Sequence, residues 1–314
     1  MDKLDGIHHI SSITADATKN LLFYEGVMGL RLVKKTVNQD NPSVYHLFYA
    51  DEDGSPGADM TFFEYTGLVR GRAGAGMIHT IAMRVGSPGA LDFWAKRLKA
   101  AGIDSTREGD SLRFEDPEGL GLELTPQPTT DKPLVAEHPE IPSHFALQGF
   151  AGVRAYSARP EASQKLLTDT LGFTTSDATS YESRGTGRGS YYIYDEAPQP
   201  RGLGGSGTVH HVAWSSTMAD HAGWRDRVIA GGGNPTPVID RFYFRSIYFR
   251  EPSGVLFEIA TKGPGFTSDE PKEHLGEKLS LPPDFEHLRA QVEANLTPLP
   301  NLRRQAASRS SGTG

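Results

Sequence analysis

The chain contains no cysteine. That absence removes disulfides, zinc–thiolate sites and thiol nucleophiles, so any bound metal must be held by histidine and carboxylate. Also missing is any window of about 18 consecutive apolar residues, and the opening Met1-Asp2-Lys3-Leu4-Asp5-Gly6 carries no apolar leader core. We therefore expect a cytoplasmic protein that neither spans nor crosses a membrane. Basic charge is scarce as well: 32 Lys+Arg against 39 Asp+Glu give a net charge of −7, which leaves no basic stripe for a polyanion and argues against nucleic acid as a partner. Core-forming material is ample. A chain of 314 residues, 37% of them hydrophobic, can bury about three quarters of its unfolded surface in one large or two ordinary domains.

A degenerate unit of about sixty residues recurs four times, each a short strand followed by a helix and several further strands. Unit one opens at Gly6-Ile7-His8-His9-Ile10, and its helix runs from about Ala15 to a stop at Gly29. Strands at Val44–Tyr49 and Met60–Phe63 follow. Unit two opens at Met77-Ile78-His79-Thr80-Ile81, with Ser87 as helix N-cap, Pro88 at the first helical position and Gly102 as the stop. Leu91, Trp94, Ala95 and Leu98 fall at helical spacing, so this helix lays one face on a sheet. Unit three opens at Phe150-Ala151-Gly152-Val153, has a helix ending before Gly172 and includes the strand Ser190–Tyr194. Unit four opens at Val209-His210-His211-Val212, carries Trp224 and Val228 on a helix stopping at Gly231, and closes with strands around Ser246–Phe249 and Val255–Ile259.

The proline-rich run Pro126-Gln127-Pro128-Thr129-Thr130-Asp131-Lys132-Pro133 reads as a linker. The expected organisation is an N-terminal domain of two units (1–126), a linker (127–143), a C-terminal domain of two units (144–262) and an extension (263–302) with one helix near Phe285–Asn295. The last stretch, 303–314, has nothing to bury and is expected to be disordered.

Aligning the four openings puts His9, Thr80, Gly152 and His211 at one position. The turns before the last strands align likewise, Asp116-Pro117-Glu118-Gly119 leading to Glu123 and Glu251-Pro252-Ser253-Gly254 leading to Glu258. A lone strand histidine is ordinarily a hydrogen-bonded or exposed residue. Three matched positions are another matter: His9, His211 and Glu258 assemble a two-histidine, one-carboxylate metal site, whereas Thr80 and Gly152 have lost their imidazoles and leave Glu123 a structural relic. Because ligand atoms sit about 2.0 to 2.3 Å from a divalent metal, units one and four must face each other and units two and three must form the other half.

Four βαβββ units resemble the vicinal oxygen chelate superfamily over about residues 5–262. The implied fold is α+β, four βαβββ modules forming two paired barrel-like domains. Asp240-Arg241-Phe242-Tyr243-Phe244-Arg245-Ser246-Ile247-Tyr248-Phe249-Arg250, Tyr45-His46-Leu47-Phe48-Tyr49-Ala50-Asp51, Gly54-Ser55-Pro56-Gly57 and Gly265-Phe266-Thr267-Ser268-Asp269-Glu270 resemble the para-hydroquinone branch of the type I extradiol ring-cleaving dioxygenases. That resemblance implies Fe(II), or Mn(II) in its place, with a small aromatic diol and O2 as substrates. It also implies a substrate cavity lined by Arg241, Tyr248, His8, His210 and Ser11. In those roles Tyr248 would hydrogen-bond a phenolate, Arg241 would hold a substrate oxygen and an imidazole would move a proton. His8 precedes His9 on a strand and should face away from it unless a bulge or strand end intervenes.

Two other readings share the fold. A glyoxalase-type isomerase takes a fourth protein ligand, for which Glu64 is the available carboxylate; it lies seven residues beyond Gly57, whereas Glu258 lies four beyond Gly254. A non-catalytic binding protein needs no metal. The apolar faces of such repeats often pair, so a homo-oligomer is compatible with the pattern.

Overall fold

The computed structural model describes residues 3–305. The chain runs through β1 (Ile7–Thr14), α1 (Ala17–Leu21), β2 (Arg31–Asn38), β3 (Asn41–Ala50) and β4 (Asp59–Glu64), and then through β5 (Met77–Val85), α2 (Pro88–Ala100), β6 (Ser105–Glu108), β7 (Ser111–Glu115) and β8 (Gly121–Pro126). After a strand-free stretch come β9 (Leu147–Ser157), β10 (Thr174–Thr175), β11 (Ser180–Arg184) and β12 (Gly189–Glu196). The fourth unit is β13 (Thr208–Ser216), α3 (His221–Ala230), β14 (Ile239–Asp240), β15 (Arg245–Arg250) and β16 (Leu256–Thr261), and α4 (Arg289–Asn295) follows in the extension. Among the described residues no helix is long and apolar enough to cross a membrane.

The sixteen strands form two eight-stranded sheets, ordered β14-β15-β16-β13-β1-β4-β3-β2 and β10-β11-β12-β9-β5-β8-β7-β6. The first sheet is units one and four and the second is units two and three, the pairing that the ligand positions demanded. In each, the opening strands of two units meet antiparallel at the centre, β1 with β13 and β5 with β9. Central strands have neighbours on both edges, and β1 is accordingly buried along nearly its whole length. Tyr192, Trp214 and Phe257 pack edge to face across the two sheets.

Helix α2 follows its sequence signals. The Ser87 hydroxyl accepts from the Ala90 N–H, Pro88 opens the helix, Gly102 has φ +75°, and Leu91, Trp94 and Leu98 are buried. The other expected helices differ. In unit one α1 passes into a π-helical turn, Leu22–Val27, before Gly29. In unit three the helix is a 3-10 turn, Pro160–Ser163, and a π-helical turn, Leu166–Thr170. Both segments wrap short connections onto a curved sheet, where burying Phe23, Tyr24, Leu166 and Leu167 outweighs regular i to i+4 bonding. Arg303, in the segment expected to be a tail, pairs with Glu52 and donates to the Glu137 carbonyl. Arg304 donates to Glu277, and residues 306–314 of that segment lie outside the described residues.

Candidate metal centre

The β1–β13 ladder carries two register shifts. Between the pairs Ile7–Trp214 and His9–Ala213 the extra residue is His8, and between Ser11–His211 and Ser12–Val209 it is His210. Each histidine pair thus contains a bulge, which rotates the first member out of strict alternation. The rings then meet: His8 Nδ1 lies 3.0 Å from His9 Nδ1, and His210 Nδ1 lies 2.8 Å from His211 Nδ1.

The outer nitrogens of His9 and His211 converge on Glu258. The two Nε2 atoms are 3.2 Å apart, and Glu258 Oε2 lies 3.2 Å from that of His9 and 2.8 Å from that of His211. All three side chains are buried. Ser246 donates to Glu258 Oε1, but Oε2 has no aligned donor although two imidazoles stand beside it. A buried carboxylate oxygen with nitrogens close by and no N–H aimed at it is what a shared metal ion would satisfy. The triangle fits as well. Donor atoms about 2.1 to 2.2 Å from a metal and at right angles stand about 3.0 to 3.1 Å apart, against about 3.5 Å for tetrahedral angles. The observed edges of 2.8 to 3.2 Å are short enough for one divalent ion to be shared by all three groups. Burial alone would push Glu258 up, but the His9 and His211 imidazoles outweigh it and hold the carboxyl well below its ordinary range.

The protonation of this array can be followed outward from one carbonyl. His8 Nε2 is 3.0 Å from Thr261 O, which can only accept, so Nε2 carries a proton. Burial and then His9 push His8 down to about 3, so the ring is neutral and its Nδ1 must accept from His9 Nδ1–H. That leaves the His9 Nε2 lone pair facing His211 and Glu258. His8 therefore departs from the expected role. Both its nitrogens are engaged and it does not line the cavity, so it orients His9 from behind.

A cavity of about 290 Å³ opens onto His9 and His211, with Glu258 buried behind them. Its walls include Phe48, Phe63, Phe244 and Leu256, and its polar groups include Ser11, His210, Arg241 and Tyr248 from the expected set. Tyr248 pairs across strands with Glu258 and sets its ring edge-on to His211 at 5.6 Å. Burial and the Glu258 charge push its hydroxyl up, so it stays a proton donor. The Arg241 guanidinium stands 5.5 Å from the Tyr248 ring centroid. Ser11 Oγ lies 2.7 Å from Thr61 Oγ1, which is 3.0 Å from His46 Nε2. His210 is open to the cavity and solvent, so water tempers the burial and the His211 contact that push it down.

Sequence reasoning missed His46, Asp40 and Phe244 as cavity residues. His46 alternates with Phe48 along β3, so the period of two held a signal for it. Asp40 meets Arg241 across 201 residues, and no local pattern marks that contact.

Glu64 is not in the site. It pairs with Thr14 at the far end of β1 and accepts from Ala17 N–H. By register, the counterpart of Glu258 in unit one is Thr61: Ala213–Glu258 and Ser11–Thr61 are the equivalent pairs, each two residues past an aligned histidine. In the second sheet the same position keeps Glu123, held by Ser111 and Arg113. Thr80 bonds His79, which bonds Asp195, and a Cβ at Gly152 would meet the Tyr191 ring at 2.2 Å.

Comparison with known proteins adds independent findings. The Glyoxalase/Bleomycin resistance protein/Dioxygenase superfamily pattern matches residues 6–124 and 142–259. The chain is 40% identical to the Bacillus subtilis (strain 168) protein that bears the name ring-cleaving dioxygenase MhqA, over 95% of this chain and 99% of that one. It is 32% identical to the chlorohydroquinone/hydroquinone 1,2-dioxygenase of Sphingobium indicum, over 93% of this chain and 95% of the other. A crystal structure from Bacillus subtilis subsp. subtilis str. 168, described as a dioxygenase, superposes with a TM-score of 0.89 at 38% identity, covering 96% of this chain and 99% of that one.

Proposed function

The chain belongs to the Glyoxalase/Bleomycin resistance protein/Dioxygenase superfamily, and from that premise we propose that it is a ring-cleaving dioxygenase that opens hydroquinone-type aromatic diols with O2 at an Fe(II) held by His9, His211 and Glu258. The observation that carries the reading is the buried triangle of two Nε2 atoms and an orphaned carboxylate oxygen beside an apolar cavity. Bound there, Fe(II), or Mn(II) in its place, would supply the Lewis-acid and redox chemistry that lets a diol react with O2. The relatives' names favour the same chemistry, and Thr61 at the register of a fourth carboxylate weighs against the isomerase reading.

The protein's own groups have separable tasks. Phe48, Phe63 and Phe244 give the cavity apolar walls that hold a ring and keep bulk water from it. The cavity of about 290 Å³ exceeds the roughly 150 Å³ that accommodates benzene, leaving space for ring substituents and O2. Tyr248, held protonated, donates a hydrogen bond to a substrate oxygen and stabilises charge developing there. His211 Nδ1–H donates to His210 Nδ1 when Nε2 is the ligand, so neutral His210 presents its Nε2–H to the cavity and acts as a proton donor. Ser11 anchors a hydroxyl beside it, backed by Thr61 and His46.

The test is oxygen uptake. Protein loaded anaerobically with Fe(II) is given hydroquinone, methylhydroquinone, chlorohydroquinone or catechol, and separately the hemithioacetal of glutathione and methylglyoxal. Stoichiometric O2 uptake with a hydroquinone, giving a ring-opened acid, is the expected result. A fully loaded protein that consumes no O2 with any diol would sink the proposal.

A further inference from the structure

Among the described residues that line the cavity Arg241 is the only lysine or arginine, and it does not stand free. Its two terminal nitrogens donate side by side to Asp40, Nη1 to Oδ1 at 3.0 Å and Nη2 to Oδ2 at 2.9 Å. The preceding residue, Gln39, donates from Nε2 to the Arg241 carbonyl at 2.8 Å. Two consecutive residues of the β2–β3 turn in unit one therefore grip both the side chain and the main chain of a residue in unit four. The receiving loop is held by its own hydrogen bonds. Phe242 sits at φ 67°, a left-handed conformation rare for a bulky side chain, secured by its N–H to Asp240 Oδ1 and by Tyr243 N–H to Arg241 O. Tyr243 in turn donates to Asp269.

This pair is poorly placed to stabilise the fold. Asp40 is 72% exposed while Arg241 is 16% exposed, and ion pairs with one partner in water contribute little to stability. Its location fits a task in recognition: the carboxylate occupies the fork through which a guanidinium binds a planar anion. While Asp40 holds that fork, a ring bearing its own carboxylate finds the arginine already neutralised and meets a second negative charge at the mouth. A ring with uncharged substituents meets neither obstacle.

We propose that Asp40, presented with Gln39 by the β2–β3 turn, is a positioning residue for Arg241 and the determinant that restricts the cavity to uncharged aromatic diols, excluding carboxylated ones. The inference rests on the diol reading of the site.

The experiment compares the parent protein with Asp40→Asn, which keeps the shape and removes the charge, and Asp40→Glu, which keeps the charge. Hydroquinone and 2,5-dihydroxybenzoate are the probes. Asp40→Asn should raise the ratio of kcat/KM for 2,5-dihydroxybenzoate over hydroquinone by about 10- to 100-fold, the worth of one charge-assisted contact, chiefly by lowering KM for the acid. Asp40→Glu should restore most of the parental ratio. Anaerobic calorimetry of both probes should show the same shift in Kd, which separates the two questions: a parent protein that binds hydroquinone but never consumes O2 defeats the dioxygenase reading and leaves the Asp40 comparison readable. Unchanged relative affinities and rates in Asp40→Asn would overturn the role assigned to Asp40. So would an equal fall for both probes, which would make the pair a structural brace.

Discussion

At the scale of single residues, the candidate centre depends on groups that fix the direction of the ligands. Ser246 is such a group. It donates to Glu258 Oε1 and leaves Oε2 facing the two imidazoles. In the second sheet Ser111 makes the equivalent bond to Glu123, where Thr80 and Gly152 stand at the positions of the two histidines, so the serine–glutamate pair is a feature of the unit that the centre exploits. Removing the hydroxyl lets the carboxylate rotate. Ser246→Ala should weaken metal binding by about 10- to 100-fold in a competition titration, the range for groups that orient ligands; undiminished affinity would mean the imidazoles alone hold Glu258. The three candidate ligands could be picked out in the sequence because each lies in a short contiguous strand that recurs within the chain. The turn of His8 and His210 onto the ligand side was not, since a bulge is a property of two strands in register and neither strand announces it alone. Asp40 was hidden for a related reason: its partner lies on a loop from the opposite end of the chain.

At the scale of elements, capped helix α2 and the alternating strands were readable, whereas the π-helical turns were not, because they answer to the curvature of the sheet beneath them. The stretch read as a linker makes firm contacts. Asp131 accepts from Arg84 Nη1 at 2.6 Å, from Arg184 Nη1 at 2.8 Å and from Gly189 N–H at 3.2 Å, tying it to β5, β11 and β12. Burial would raise the Asp131 carboxyl, but the Arg184 and Arg84 bonds outweigh it and hold the group well below its ordinary 3.8. The folded state then resists a proton that the unfolded chain accepts, so this contribution is complete above 3.8 and is lost as pH falls from there through the folded value. Asp131→Asn should lower the urea midpoint at pH 7 by the equivalent of about 3 kcal/mol, since it leaves Arg84 buried beside a neutral partner. The gap between parent and variant should narrow as unfolding is repeated toward pH 2. A gap that stays constant with pH would show that charge is not what fastens this element. The second sheet yields a complementary expectation. Thr80→His restores one imidazole, yet the Tyr191 ring fills the place where a Gly152 side chain would begin, and Arg113 already engages Glu123. Metal analysis of Thr80→His should give the parental stoichiometry.

At the scale of the whole molecule, each sheet is joined across the two sequence halves, β1 to β13 in one and β5 to β9 in the other. The candidate ligands are divided the same way, His9 before the Pro126–Pro133 run and His211 and Glu258 after it. Neither half can therefore complete a centre or a sheet. Expressed alone, residues 1–140 would leave the edges of β1 and β5 unpaired and the apolar faces beneath them open, conditions that favour aggregation over folding. Supplied together, the halves can restore both junctions. Co-expression of 1–140 with 141–314 should give a soluble complex that binds metal at the parental stoichiometry, while either piece alone should bind none. Metal should also tighten the pairing of the pieces: because it binds only the assembled form, a concentration 100-fold above its Kd adds about 2.7 kcal/mol to association. The complex should thus dissociate more readily in chelator. The Glu258→Gln complex should assemble, yet be indifferent to chelator, which separates the strand pairing that builds the sheet from the ion that the sheet positions.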